Sequence, residues 1–191
     1  IKFNWRGEPL LHPKLPEFIK YSKERGILDT IINTNATTLG EKKCRALIDA
    51  GLDYIIYSFD GGSKETYEKN RPGRFKANSF DSVYKNIQTL KKIKDEMQSP
   101  FPFTKIQMIL TEETFNEKDN FYNLFNDYVD DVTVNPYTER GGQLSDLDEE
   151  GRKDYEKIRA KYDLPEESAY MRDPHGKIFV SQKRKPCEQP Y

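Results

Sequence analysis

Short apolar runs rich in Ile, Phe and Tyr alternate along this chain with longer segments whose apolar residues recur every three or four positions. The first pattern predicts strands and the second amphipathic helices. Residues 1–5 read as a strand end, followed by a helix over Leu15–Arg25 with Leu15, Phe18 and Ile19 on one face. Thr30–Thr34 is the next strand. The helix after it, Glu41–Ala50, buries Cys44, Leu47 and Ile48 and stops at Gly51. Tyr54–Phe59 is apolar enough to be covered on both faces, as parallel strands usually are. A long loop is expected over Asp60–Ala77, then a helix from Ser79 with Phe80, Val83, Tyr84, Ile87 and Leu90 inward and Pro100 and Pro102 at its exit. A strand over Lys105–Leu110, a helix over Glu117–Tyr128 and a strand over Asp131–Asn135 continue the rhythm.

Consecutive strand–helix units with right-handed crossovers form either a barrel or an open doubly wound sheet. Periodicity does not separate the two, and the barrel is the expectation. A complete eight-stranded barrel needs roughly 250 residues, so a chain of 191 accommodates a partial one of the (β/α)6 type. Composition shifts after Tyr137, where Gly141-Gly142 and the acidic residues 146–150 suggest an exposed connection. The expected organisation is a barrel core over 1–140, a connecting helix and linker over 141–176, and the start of a further module over 177–191. The connecting helix would span Arg152–Tyr162 and a short strand Ile178–Ser181.

Charged residues make up 33% of the chain and hydrophobic ones 35%, but aromatics at 13% place it among ordered proteins. A net charge of −1 gives no electrostatic reason to expect a nucleic-acid partner. No apolar run approaches the ~18 residues of a membrane span, so no membrane partner is expected either. Of the two cysteines, Cys44 keeps register with Leu47 and Ile48 and reads as a core residue. Cys187 lies outside any apolar period, next to Pro186, and suits a ligand or a linker thiol. His12 and His175 stand apart from each other and from both cysteines, so neither is taken as a metal ligand.

Ligands of parallel α/β folds bind beyond the carboxyl ends of the strands, and three such ends here are polar. Gly7-Glu8-Pro9 follows the first strand, where exposed backbone carbonyls could hold an ammonium group; an ordinary turn uses the same residues. Asn33-Thr34-Asn35 could hydrogen-bond a polar ligand or simply turn the chain. Ser58 and Asp60 flank Phe59 and so share one side of their strand. They suit a ribose or an amino-acid head group, or equally a pair of caps. Arg71 in the following loop has the planar fork that matches a carboxylate, and Asn135-Pro136 closes the last strand.

In order, Trp5-Arg6-Gly7-Glu8-Pro9, Asn33-Thr34-Asn35, Ser58-Phe59-Asp60-Gly61 and Lys185-Pro186-Cys187 resemble the radical S-adenosylmethionine enzymes. Arg6 stands where the family's Gly-Gly-Glu-Pro motif has its first glycine, and the last segment is similar to the opening of a SPASM extension. The resemblance implies that the backbone at Gly7, Glu8 and Pro9 holds the ammonium of S-adenosylmethionine. It implies that Ser58 contacts the carboxylate or ribose with Asp60 nearby, that Arg71 pairs the carboxylate, and that Asn35 and Asn135 line the site, Asn135 near the adenine. Cys187 would be the first ligand of an auxiliary iron–sulfur cluster. A [4Fe–4S] cluster would cleave S-adenosylmethionine to a 5′-deoxyadenosyl radical for hydrogen abstraction, in a cytoplasmic oxidoreductase fed by a donor such as flavodoxin or ferredoxin.

The family's Cys-x3-Cys-x2-Cys loop is not found, and the chain opens in mid-strand at Ile1, so an excerpt of a larger enzyme is expected. The expected substrate is a peptide or a sugar-like small molecule. Two other readings stand beside this one: a cluster-free barrel acting on a phosphorylated metabolite, and a degenerate barrel kept as a binding module.

Overall fold

Successive residues of a strand face opposite sides of its sheet, and in this protein one side is sealed while the other is not. The computed structural model describes residues 1–4, 7–72, 79–136, 170–172 and 178–180. Strands β1 (Ile31–Thr34), β2 (Tyr54–Ser58), β3 (Phe103–Leu110) and β4 (Asp131–Pro136) hydrogen-bond in that order. The first three are parallel, with Ile31 opposite Tyr54 and Ser58 opposite Gln107. The opening residues extend the sheet on the other side of β1, where Lys2 bridges Ile31 in parallel and the Phe3 N–H donates to the Ile31 carbonyl at 2.9 Å.

Helices α1 (Leu15–Glu24), α2 (Glu41–Asp49), α3 (Lys64–Asn70), α4 (Phe80–Glu96) and α5 (Lys118–Phe125) lie between or after these strands. Ile32, Ile55, Tyr57, Ile106 and Met108 join Ile19 of α1, Leu47 of α2, Ile87 of α4 and Phe121 of α5 in one core. The alternate strand residues Asn33, Ile56, Ser58, Lys105 and Gln107 stay half-buried on the opposite face. Sequential strand order with the helices on one face is a barrel wall; a doubly wound sheet reverses its order and carries helices on both. The α/β partial-barrel expectation therefore holds.

Two expectations need correction. Tyr54–Phe59 is sealed on one face only, the side of Ile55, Tyr57 and Phe59. Ile56 gave the run its uninterrupted apolar look, although it faces the open side. The stretch expected as a loop after Asp60 contains α3, capped by the Ser63 hydroxyl accepting from the Thr66 N–H. Only Tyr67 of this seven-residue helix is buried, so it carries no readable apolar stripe.

At the amino-terminal end of the sheet the same staple occurs twice. The Asp53 carboxylate accepts from the Thr30 N–H at 2.8 Å, the Thr30 hydroxyl at 2.7 Å and the Lys23 ammonium of α1 at 2.9 Å. Asp130 accepts from the Thr104 N–H and hydroxyl, both at 2.7 Å, and from Lys94 of α4 at 3.0 Å. Each staple thus locks a helix, the strand that follows it and the start of the next strand. Partial burial works against ionisation of both carboxyls, but these donors outweigh it and hold them below the ordinary range.

The chain divides into two compact units, Ile1–Asn135 and Pro136–Tyr191. In the second, β5 (Tyr170–Arg172) and β6 (Ile178–Val180) pair antiparallel with Arg172 opposite Ile178. Strand β6 falls where Ile178–Ser181 was expected. Trp5, Arg6, Gly141-Gly142, the helix expected over 152–162, His175, Lys183–Lys185 and Cys187 lie outside the described residues. Among the described residues no helix is long and apolar enough to cross a membrane.

Candidate active site

The carboxyl-terminal ends of the strands are held in place by side chains that are themselves polar. Gly7 adopts φ +88°, a left-handed conformation suited to glycine, and a Cβ there would meet nothing within 4 Å. Glu8 caps the 3-10 turn Pro9–Leu11, accepting from the Leu10 N–H at 3.1 Å. Its carboxylate also accepts from the Thr34 hydroxyl at 2.6 Å and the Asn35 N–H at 2.8 Å. Glu8 is therefore committed to tying the turn at Pro9–Leu11 to the end of β1. The exposed Gly7 backbone makes no hydrogen bond within the described residues, which leaves its carbonyl open to a ligand ammonium. Pro9 is buried beneath this turn.

The loop after β1 is pinned in the same way. Thr34 donates a hydrogen bond from its hydroxyl to Glu8 and accepts one from the Ala36 N–H at 2.9 Å, supporting the φ of +57° at Ala36. The Asn35 carbonyl accepts from the N–H and hydroxyl of Thr37 at 3.0 and 2.7 Å, so its amide NH2 is left for other partners. The Asn33 backbone N–H donates to Asn4 at 2.9 Å, but its buried side-chain oxygen has no partner among the described residues. A buried acceptor without a donor costs about 1–3 kcal/mol, and a bound donor relieves it.

Phe59 fixes the end of β2. It is fully buried, stacked on Tyr67 at 4.1 Å between ring centres and edge-on to Phe125 at 4.9 Å. Ser58 and Asp60 on either side remain half-buried. Asp60 accepts from the Ile109 N–H of β3 at 3.1 Å and from Arg71 Nε and Nη2 at 2.8 and 2.6 Å. The Arg71 fork is thus oriented by Asp60, with no other partner for its N–H donors among the described residues and its side chain 23% exposed. No hydrogen bond engages the Ser58 hydroxyl within the described residues, and Ser58 pairs in register with Gln107. The Asn135 amide donates weakly to Gln107 at 3.4 Å, placing the two amides side by side on adjacent strands.

The structure therefore gathers Ser58, Asp60 and Arg71 around one strand end, ties Glu8 to Asn35, and places Asn135 two strands from β2. Sequence reasoning missed Gln107, which sits in an alternating strand without punctuation, and the linking role of Thr34, which was visible only as the middle of Asn33-Thr34-Asn35. Cys44 is a core thiol: burial pushes its pKa up to about 12, so it stays protonated. Among the described residues no group of His, Cys, Asp and Glu is arranged to hold a metal ion.

Residues 6–125 match the Radical SAM superfamily. Over 61 residues the chain is 38% identical to the GTP 3′,8-cyclase of Chlorobaculum tepidum, a span covering 32% of the chain and 18% of that protein. It is 32% identical over 81 residues to the Fe-coproporphyrin III synthase of Methanosarcina barkeri, covering 42% of the chain and 19% of that relative. The chain thus spans about a fifth of the length of these two relatives. The crystal structure of Streptococcus suis SuiB bound to S-adenosylmethionine superposes with a TM-score of 0.55 at 16% identity, over 82% of this chain and 33% of SuiB. At that identity the likeness shows the fold.

Proposed function

The chain belongs to the Radical SAM superfamily, and on that premise we propose that the carboxyl-terminal ends of its strands bind S-adenosylmethionine. Membership implies that cofactor and a [4Fe–4S] cluster. Bound together, the two would supply radical chemistry: one electron from the cluster would break the S–C5′ bond of S-adenosylmethionine, releasing methionine and a 5′-deoxyadenosyl radical that would take a hydrogen atom from a substrate. Its binding is the task of the residues described above. In this reading the Gly7 carbonyl accepts from the ammonium and the Arg71 fork meets the carboxylate, supported by the open backbone at Gly7 and by the orientation that Asp60 gives Arg71. Ser58 is assigned to the carboxylate or ribose and Asn135 to the adenine, a reading supported by their position at the ends of β2 and β4 with Gln107 between them. The orphaned Asn33 oxygen favours a ligand that brings a donor to this face. The observation that carries the reading is Arg71, oriented by Asp60 at 2.6 Å with no other side-chain partner among the described residues.

The cluster does not fit the described residues, which offer no thiolate for it, so no step is derived through it. Cys187 remains the proposed first ligand of an auxiliary cluster in a SPASM-type extension, with flavodoxin or ferredoxin as the electron donor class. The names of the two curated relatives speak of GTP and of an iron porphyrin, and give the expected peptide or sugar-like substrate no support. The reaction class proposed is hydrogen abstraction by an oxidoreductase-type enzyme.

The test uses the full-length protein, reconstituted without oxygen and given dithionite and S-adenosylmethionine. Formation of 5′-deoxyadenosine that is lost in Arg71→Ala is the expected result. Cofactor binding without cleavage would move the reading to a degenerate barrel, and no binding would refute it.

A further inference from the structure

Helix α3 cannot hold itself in place by burial, because Tyr67 is its only buried residue. Its two ends are fixed instead. At the far end Arg71 turns back to Asp60, and Asn70 donates to the Asp60 carbonyl at 3.1 Å. At the near end one carboxylate from a different part of the chain takes hold. Glu117, which immediately precedes α5, accepts from the Gly62 N–H at 2.7 Å through one oxygen. Through the other it accepts from the hydroxyls of Ser63 at 2.6 Å and Thr66 at 2.7 Å. The backbones are interlocked as well, since a Cβ at Gly62 would overlap the Glu117 carbonyl and one at Gly61 would overlap the backbone of Tyr67. Partial burial opposes the charge on Glu117, yet the Ser63, Thr66 and Gly62 donors prevail and keep its carboxyl below the ordinary range.

We propose that Glu117 is a positioning residue: by gripping the start of α3 it fixes Arg71, at the other end of that helix, where the carboxylate of the ligand is bound. The inference rests on the reading of the site given above. Mechanically α3 is a short lever. At about 1.5 Å per residue, Ser63 and Arg71 are separated by roughly 12 Å along the axis. A tilt of about 5° at the Glu117 end moves the backbone at Arg71 by about 1 Å, a displacement that can cost a site up to about a hundredfold. Asp60, held to β3 through the Ile109 N–H, grips the guanidinium, while Glu117 sets the helix from which that side chain extends.

The experiment measures dissociation constants on the full-length, cluster-bearing protein, without reductant, for S-adenosylmethionine and for 5′-methylthioadenosine, which lacks the amino-acid carboxylate. Wild type is compared with Glu117→Ala, Arg71→Ala and the double variant. Glu117→Ala should weaken S-adenosylmethionine by roughly tenfold, on the scale of residues that support a site. Binding of 5′-methylthioadenosine should change by less than about twofold, and the double variant should be no weaker than Arg71→Ala, since both act on one contact. Equal weakening of both ligands would show a merely structural role and overturn the proposal. So would an unchanged affinity in Glu117→Ala while Arg71→Ala loses S-adenosylmethionine. No loss in Arg71→Ala would instead refute the reading of the site itself. Should Glu117→Ala fail to fold, Glu117→Gln serves: it keeps an acceptor for Ser63 and Thr66 but turns an NH2 on the Gly62 N–H, and an intermediate, carboxylate-specific loss is expected.

Discussion

The two ends of one sheet are built to opposite standards. At the amino-terminal end Asp53 and Asp130 each collect a backbone N–H, a hydroxyl and a lysine, and Thr30 and Thr104 return hydroxyls to the backbone N–H groups of those aspartates. At the carboxyl-terminal end Glu8, Thr34 and Glu117 are equally committed, but among the described residues the Asn33 oxygen, the Ser58 hydroxyl and part of the Arg71 fork are not. The difference teaches where each end spends its polar groups. One end closes the barrel wall, and the other, where we propose the ligand binds, keeps a few polar groups uncommitted, the division expected of barrel enzymes.

Breaking the closed end should cost the most stability. In Asp130→Ala the nearly buried Lys94, 8% exposed, loses its counter-charge while Thr104 loses an acceptor. About 3 kcal/mol of unfolding free energy should be lost, at the low end for breaking a buried pair because Asp130 keeps some solvent contact. Asp53→Ala should cost about 2 kcal/mol, since Lys23 at 31% exposure regains water more easily. Urea denaturation measures both, and S-adenosylmethionine affinity should stay near wild type in each. Acid sharpens the same contrast. The folded carboxyls of Asp53 and Asp130 titrate below their unfolded values. Their stabilisation is therefore complete above the unfolded carboxylate pKa, near about 4, and is lost as pH falls through the folded values. The Asp53→Asn/Asp130→Asn double variant should be less stable at neutral pH and show a flatter acid limb.

How much of this was legible follows from the kind of contact. The strand ends could be read because each apolar run closes on a polar tripeptide, and Phe59 between Ser58 and Asp60 gave the side-chain alternation directly. The staples could not be read. Thr30 and Asp53 lie 23 positions apart, Thr104 and Asp130 lie 26 apart, and both sets are ordinary surface-type residues in sequence. The Glu117 grip on Gly62 spans 55 positions and leaves no periodic trace. Asp60 and Arg71 each stand out in the sequence, but their pairing depends on α3, whose seven residues bury only Tyr67 and so show no apolar period.

At the open end stability effects should shrink while binding effects grow. Glu8→Gln keeps an acceptor for Thr34 but sets an NH2 against the Asn35 N–H, for a cost of about 1 kcal/mol, with weaker cofactor binding because the Gly7 turn loosens. Ser58→Ala should change stability by less than about 0.5 kcal/mol, the range of an unpartnered surface group.

The most direct test is equilibrium dialysis of S-adenosylmethionine against the full-length protein, with Ser58→Ala beside Asp53→Ala. The account predicts that the stable Ser58 variant binds more weakly while the destabilised Asp53 variant, still folded, binds as wild type does. Unchanged binding in Ser58→Ala, with the loss appearing in Asp53→Ala, would contradict it.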